Sequence, residues 1–571
     1  MTNEEVANIL DEIADLLDIR GEMSFKVQAY HRAANSIRSL REDINVLYKE
    51  GNLREVPAVG KGIAEKIMEL LETGSLPYYE DLKEEIPPSL VELMRIPGLG
   101  PKKAKFLYDT LSITTIDELL EAARTHRLRG LKGMSAKTEE NIIRGIQQLR
   151  RARERILLFE AHPIAERFIK NLRRQDFVER ADMAGSLRRM KETIGDIDLL
   201  AASYEPHKVM DYFCHMPEVA QVLMKGDTKS SIIARNGLQI DLRVVSPDQY
   251  GSALQYFTGS KEHNVHLREI ARKKGLKINE YGIFEMEVDR RIGGEKEEEI
   301  YEVLGMPYIP PVLREDRGEI ERGIEDSLPR LIQLEDVRGD LHVHSSWTDG
   351  LSKIKRIAEA AIELGYEYVA ICDHAEQLKV AGGLTKKELR AQAEEIMRLN
   401  EELDGITIMC GIELNIDNDG RVDYEDEFLK ELNIVVASIH GGFRQPEDQL
   451  TKRTLSAIYN EYIDIIGHPT GRILGKREPY AIDLKTIFKA AAETNTILEL
   501  NSFPDRLDLN DIQLREAKEG YGIKFAINTD AHSAAQLAYI KYGVATAQRG
   551  WLEPEDVINT YPLDKLKEIL K

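Results

Sequence analysis

The chain has 571 residues, which allows about three or four domains. Its 78 basic and 99 acidic residues leave a net charge of −21, and 42% hydrophobic residues suffice for packed cores, so a wholly disordered chain is excluded. No run approaches the roughly 18 apolar residues of a membrane span, the opening MTNEEVANILDEIADLL lacks the flanks of a signal peptide, and Cys214, Cys372 and Cys410 form no disulfide framework, so a cytoplasmic protein is expected.

The acidity is uneven. Residues 1–155 hold 24 basic and 26 acidic residues, whereas 335–571 hold 28 and 42, so a basic surface is possible upstream. The first 155 residues read as helices, with Val6, Ile9, Leu10, Ile13, Leu16 and Leu17 at helical spacing. Within them VPAVGKGIAEKI (56–67) and IPGLGPKKAKFL (96–107) each set a G-x-G turn before a helix. Gly60 and Gly62, and Gly98 and Gly100, let backbone approach an anion closely, and the helix start behind them offers free N–H groups. LKGMSAKTEENI (131–142) is a weaker third copy. These turns resemble the helix-hairpin-helix motif, which holds DNA phosphates without reading sequence.

From about 156 to 315 the pattern is mixed, with buried-strand runs such as IDLLAA (197–202) and IDLRVV (240–245). In AGSLRRMKETIGDIDLLAA (184–202), Asp196 and Asp198 are two apart on an expected strand, so both face one side. Asp241 is an isolated acid in an apolar run, costly to bury unless it shares a cation with them. Three carboxylates around two metal ions are the apparatus of in-line phosphoryl transfer, and Gly185-Ser186 makes a turn fit for a triphosphate that Arg189 can neutralise.

Those segments, with YFTGSKEHNVHLREIARKKGLKINEYGIF (256–284), resemble the family X DNA polymerases over about residues 1–315. The resemblance implies that Asp196, Asp198 and Asp241 bind the catalytic metals, with Asp241 activating the primer 3′ hydroxyl. It implies triphosphate contacts from Gly185, Ser186, Arg189 and Gly195, and sugar packing from Tyr256, Phe257 and Gly259. Asn264 matches a contact to the nascent base pair and Arg268 a template-strand contact. FKVQAYHRAANSI (25–37) is similar to the family's small lyase domain, and Lys66 matches its Schiff-base lysine.

Residues 310–335 look like a connector. Beyond 336, apolar runs ending in polar residues alternate with helical stretches, which predicts βα units with chemistry at the strand ends. DLHVHSSWTDG, CDH, GIELN, ASIHG, GHP and NTDAH carry six histidines there. Asp340, Asp349, Asp373, Glu413 and Asp530 accompany them. Imidazole with carboxylate suits Zn, Mn or Fe, and so many ligands suggest two or three ions. This array resembles the PHP phosphoesterase domain, whose ligands map onto His342, His344, Asp349, His374, Glu413, His440, His468, Asp530 and His532. A distorted (βα)7 barrel that hydrolyses phosphate esters with metal-activated water is what that resemblance implies.

The expectation is therefore a multidomain chain. Helical helix-hairpin-helix domains occupy 1–90 and 91–155, an α/β nucleotidyltransferase palm 156–260, a thumb 261–315, a linker 316–335 and the barrel 336–571. Mg or Mn serves the polymerase site, and Mn, Zn or Fe the barrel. Gapped or nicked DNA and dNTPs are the expected partners, with no membrane. The expected function is short-gap filling in base excision repair, with a 3′–5′ exonuclease, other 3′-end processing or an AP-endonuclease activity in the barrel. A small-molecule phosphatase and a non-catalytic DNA-end binder are the alternatives.

Overall fold

The computed structural model describes all residues except 2, 39–43, 95, 97, 98, 132, 154 and 571. The chain forms two compact units, Met1–Glu154 and Arg155–Lys571.

The first unit is helical throughout its described residues. Val6, Leu10, Ile13 and Leu17 of the opening helix are buried, and the core they start runs on to Ile142 and Ile146. Two of its helices follow the glycine turns: α1 (Lys61–Thr73), preceded by Gly60, and α2 (Pro101–Leu111), preceded by Gly100. Pro101 opens α2 because a first-turn N–H has no partner to lose.

The second unit begins with helix α3 (Leu158–Leu172) against a five-stranded mixed sheet. Its strands are β1 (Arg180–Met183), β2 (Ile197–Ala202), β3 (Val219–Lys225), β4 (Lys229–Ala234) and β5 (Gln239–Val245), in the order β1-β2-β5-β4-β3. A short helix, α4 (Gly185–Arg188), links β1 to β2. Helices α5 (Tyr250–Thr258) and α6 (Lys261–Lys273) lead into an antiparallel sheet of β6 (Leu276–Asn279), β7 (Gly282–Glu285) and β8 (Arg290–Gly293).

The expected connector 316–335 is instead packed structure. It carries helix α7 (Glu319–Ile324), with Glu319 and Ile320 fully buried. Glu319 accepts from the buried His263 ring at 2.6 Å, and Ile332 N donates to Leu552 O at 3.0 Å. Charges and prolines made this stretch look like a linker, but its acid has a buried partner far off in sequence.

Seven parallel strands then follow in sequence order: β9 (Gly339–Val343), β10 (Tyr368–Ile371), β11 (Thr407–Asn415), β12 (Ile434–Ser438), β13 (Ile465–Ile466), β14 (Ile497–Asn501) and β15 (Phe525–Asn528). Their near-continuous apolar runs are buried because helices cover the outer face. A parallel bridge between Val343 and Ala531 and the bond from His344 N to Ala531 O at 2.8 Å bring the last strand's end back to the first. This is the expected seven-stranded barrel.

The barrel is joined to the mixed sheet. Leu507, on the loop after β14, and Tyr542, on helix α8 (Ile540–Arg549), are buried in the sheet's own core. Arg472, four residues past the end of the GHP motif's His468, pairs with Glu192 at 2.7 Å and also donates to Leu507 O.

Candidate active sites

β2 and β5 run parallel with Asp198 directly opposite Asp241. Asp196 lies one residue ahead of β2 and is exposed, so the D-x-D pair straddles the strand start. Burial, and then the charges of Asp196 and Asp241, push Asp198 up to about 7. Asp241 is buried, but hydrogen bonds from Gln239, Lys229 and Ser231 outweigh burial and hold its carboxyl below the usual range. Lys229 Nζ is 2.9 Å from Asp241 Oδ2. The triad thus has one carboxylate that stays ionised and one that needs a cation to do so. Carboxylates converging in this way suit divalent ions.

Gly185 sits directly against Asp198 with φ +59, and a Cβ there would come 2.2 Å from Asp198 Oδ2. Ser186, in α4, and Gly195, just ahead of Asp196, are both half-buried. Arg189 is engaged within the protein, with Nε 3.0 Å from Glu315 Oε1 and Nη1 donating to Thr258 O at 2.5 Å. Glu315 also takes Arg549 Nη1 from α8 at 3.0 Å. Gly259, just past α5, leaves room for that guanidinium, since its Cβ would lie 3.2 Å from Arg189 Nη1. Tyr256 and Phe257 form an edge-to-face pair with centroids 5.1 Å apart, and Arg243 lies over Phe257 at 4.4 Å. Asn264 is turned inward: it donates to Tyr256 O and accepts from Gln255 Nε2, both at 2.7 Å. Arg268 is exposed on α6.

At the hairpins, Gly60, Gly62 and Gly100 have open space where a Cβ would stand. Gly60 and Gly100 also have φ of −75 and −81, which any residue adopts. No contact among the described residues requires glycine there. Gly98 lies outside the described residues. Lys66 is half-buried on α1, its Nζ 3.3 Å from Gly62 O and 4.6 Å from the centre of the Tyr78 ring.

At the C-terminal end of the barrel the sequence motifs converge. His344, Asp349, His374 and His532 form one group with metal-ligand spacing, His342, His344 and Asp530 a second, and His374, Glu413 and His440 a third. His468 lies outside these groups but places Nε2 3.2 Å from Glu413 Oε1, as does His440. All nine expected residues therefore meet in one place. Glu413 is central and fully buried. Burial alone would raise its pKa, yet the surrounding imidazoles, His440 first, hold it well below the usual range. Burial and the neighbouring rings of His532 and His374 push His344 down to about 3, leaving it neutral, the form that binds a metal. Buried nitrogens of His440 and His468 (Nδ1 of each) have no hydrogen-bond partner among the described residues. Such a donor set fits a cluster of divalent ions.

Two residues here escape sequence reasoning. Glu499, inside ILELN, orients the cluster: its Oε1 lies 2.7 Å from His342 Nδ1 and its Oε2 accepts from His468 N at 2.7 Å. An acid in a buried strand was the available signal. Lys229 is the other, and its lone charge in the KSSIIA strand was the trace it left. Asp340 and Asp373, which the sequence sets beside the histidines, act as scaffolding acids, bonded to Thr529 and to Ser345, Thr348 and Gln392.

Comparison with known proteins agrees with this geometry. Residues 1–76 match a helix-hairpin-helix domain, 90–148 a SAM-like helix-hairpin-helix tandem, 253–315 the DNA polymerase beta thumb and 340–503 the PHP domain. The chain is 39% identical over 573 aligned residues to the DNA polymerase/3'-5' exonuclease PolX of Bacillus subtilis (strain 168), covering 100% of both chains. A probable phosphatase of Thermoanaerobacter sp. (strain X514) is 30% identical over 243 residues, 41% of this chain and 94% of its own. DNA polymerase lambda of Rattus norvegicus is 24% identical over 345 residues, 55% of this chain and 56% of its own. The PHP match stops at 503, so it is the fold that carries Asp530 and His532 back to the cluster. No helix among the described residues is long and apolar enough to cross a membrane.

Proposed function

Because the chain belongs to the bacterial family X DNA polymerases that carry a PHP domain, we propose that it fills short gaps during DNA repair and trims 3′ ends with its barrel. The observation that carries this reading is the completeness of two separate constellations in one chain. One is the Asp198–Asp241 pair under Gly185, and the other is the nine-residue cluster around Glu413.

At the polymerase site, Asp196, Asp198 and Asp241 would hold Mg or Mn ions, which neutralise charge in the phosphoryl transfer. Asp241, ionised at neutral pH, takes the proton of the primer 3′ hydroxyl. Gly185, Ser186 and Gly195 cradle the triphosphate, and Arg189 joins them by exchanging Glu315 for phosphate. Tyr256, Phe257 and Gly259 face the incoming sugar, Asn264 the nascent base pair and Arg268 the template. The glycine turns at 60–62 and 98–100 grip the DNA backbone. Lys66 serves as the lyase nucleophile, which borohydride trapping on abasic DNA tests against Lys66→Ala.

In the barrel, the nine residues would hold two or three Mn, Zn or Fe ions, which activate water and polarise phosphate. Glu499 fixes the His342 ring, and Glu413 keeps the surrounding imidazoles converging. The substrates are gapped or nicked DNA with dNTPs, in the cytoplasm at the nucleoid. The similarity to a probable phosphatase supports a second substrate for the barrel, a 3′-phosphorylated end.

The test is a 5′-labelled primer on a one-nucleotide-gapped duplex with Mn, with and without dNTPs. Extension with dNTPs and shortening without them are expected. Asp241→Ala abolishes extension alone, and His344→Ala abolishes shortening alone. An unchanged primer in both lanes would refute the reading.

A further inference from the structure

Hydrolysis of a phosphate ester builds negative charge on non-bridging oxygens, and the guanidinium fork is the side chain that matches them. The nine-residue cluster contains no arginine, yet two stand at its rim. Arg506 lies on the loop after β14. Its Nε is 3.6 Å from Asp530 Oδ2, which also accepts from Asn501 Nδ2 at 3.1 Å. The other oxygen of Asp530 is 3.1 Å from His344 Nε2. Arg506 Nη1 is buried with no acceptor among the described residues, while 21% of the side chain stays exposed. An unsatisfied buried donor is costly to keep, so this one calls for an acceptor from outside the chain.

Arg477 stands nearby. It donates Nε to Gly471 O at 2.7 Å and lies over Phe443, three residues past His440, at 4.2 Å. Burial and the charge of Arg506 hold the Arg477 guanidinium below its ordinary range, so two cations share this rim. The adjacent acids are committed elsewhere. Asp508 accepts from Thr470 N and Oγ1 at 3.0 and 2.9 Å, and Asp505 faces Lys476 at 3.8 Å.

The geometry points to Arg506 as a further catalytic residue of the barrel, its guanidinium taking a non-bridging oxygen of the phosphate under attack while Arg477 holds the next phosphate of the strand. This rests on the hydrolytic reading above. In that reaction water forms the new P–O bond and the P–O3′ bond breaks. One water proton ends on the departing 3′ oxygen, and the nucleotide leaves as a 5′-monophosphate. Arg506 stays protonated throughout and supplies charge alone.

The full chain loaded with Mn is compared with Arg506→Ala and Arg506→Lys. Arg506→Ala lowers kcat for primer shortening by about 10²–10³-fold. Lysine, which lacks the fork, recovers part of it and serves if the alanine variant does not fold. Bound Mn, measured by elemental analysis, stays equal in all three. Phosphorus NMR of inorganic phosphate, broadened by the bound Mn, shows phosphate affinity falling about tenfold or more without Arg506. Metal content that falls in step with the rate would mean that Arg506 merely positions Asp530, and would overturn the proposal. Phosphate affinity within about threefold of the unmodified chain would overturn it too. If phosphate binding depends on Arg506 but no protein shortens the primer, Arg506 keeps its role and the exonuclease reading falls instead.

Discussion

Gly185→Ala tests the polymerase site most directly. The added methyl would stand 2.2 Å from Asp198 Oδ2, 3.1 Å from its Cγ and 3.3 Å from its Cβ. The first is at least about 1 Å short of ordinary contact, and the other two are short by a few tenths of an ångström. Rotating the carboxylate away cannot relieve the approach of Asp198 Cβ, so the residue must retreat, and with it the register facing Asp241. The backbone at φ +59 adds roughly 1–2 kcal/mol, and overpacking roughly 1–3 kcal/mol more. A displacement of about 1 Å at a reacting group costs about 10²-fold in rate. Single-turnover gap filling should therefore fall about 100-fold, while primer shortening in the same preparation holds within about threefold. Gly237→Ala is the control. Its φ is +85, but a Cβ there meets nothing within 4 Å, so it carries the backbone cost without the collision. Gap filling by Gly185→Ala at the level of Gly237→Ala would refute the placement of Asp198.

Four further predictions concern this site and the others. With Asp198 at about 7 in the absence of a cation, a divalent ion must displace its proton at lower pH. Extension at limiting Mg should then rise about tenfold per pH unit up to about 7 and level off above, read from a pH series of gap filling. The same raised pKa means the metal-free fold binds a proton at Asp198 that the unfolded chain releases, so the share of stability owed to that proton shrinks as pH climbs from 3.8 toward 7, read as the change with pH in the difference of unfolding temperature between the unmodified chain and Asp198→Asn. Glu499→Gln leaves every ligand in place but weakens the hold on His342, and metal affinity of the barrel should fall about 10–100-fold by competition with a chelator. Gly60→Asp and Gly100→Asp should separate fold from binding. Aspartate is a favourable residue before a helix, so melting holds or rises, while fluorescence anisotropy shows DNA affinity falling about tenfold or more from repulsion.

What could be read from the chain followed the physics that repeats locally. Strand-end histidines announce themselves because their motifs stop apolar runs, and the alternation of those runs with helical stretches implies βα units, while the seven-stranded barrel rests on the resemblance to the PHP domain. Glu499 was illegible because its meaning lies in His342, which is 157 residues away. Arg189 and Asn264 were legible as types and not as conformations. Their partners, Glu315 on one side and Gln255 and Tyr256 on the other, are fixed only by tertiary packing. The stretch 316–335 misled for a related reason. Charge was read as solvation, whereas Glu319 answers a buried histidine.

The insertion of Leu507 into the sheet's core, with Arg472 bridging to Glu192, has a consequence for traffic between the two activities. A hinge that carried one workshop to the other would have to pull an apolar plug into water. Between these two sites the second unit is therefore the fixed frame and the nucleic acid the moving part. A 3′ end leaves the extension site only by fraying from its template and threading across. Poorly paired ends fray most readily. Sorting between synthesis and removal would then be done by the helix under repair, through its own willingness to melt.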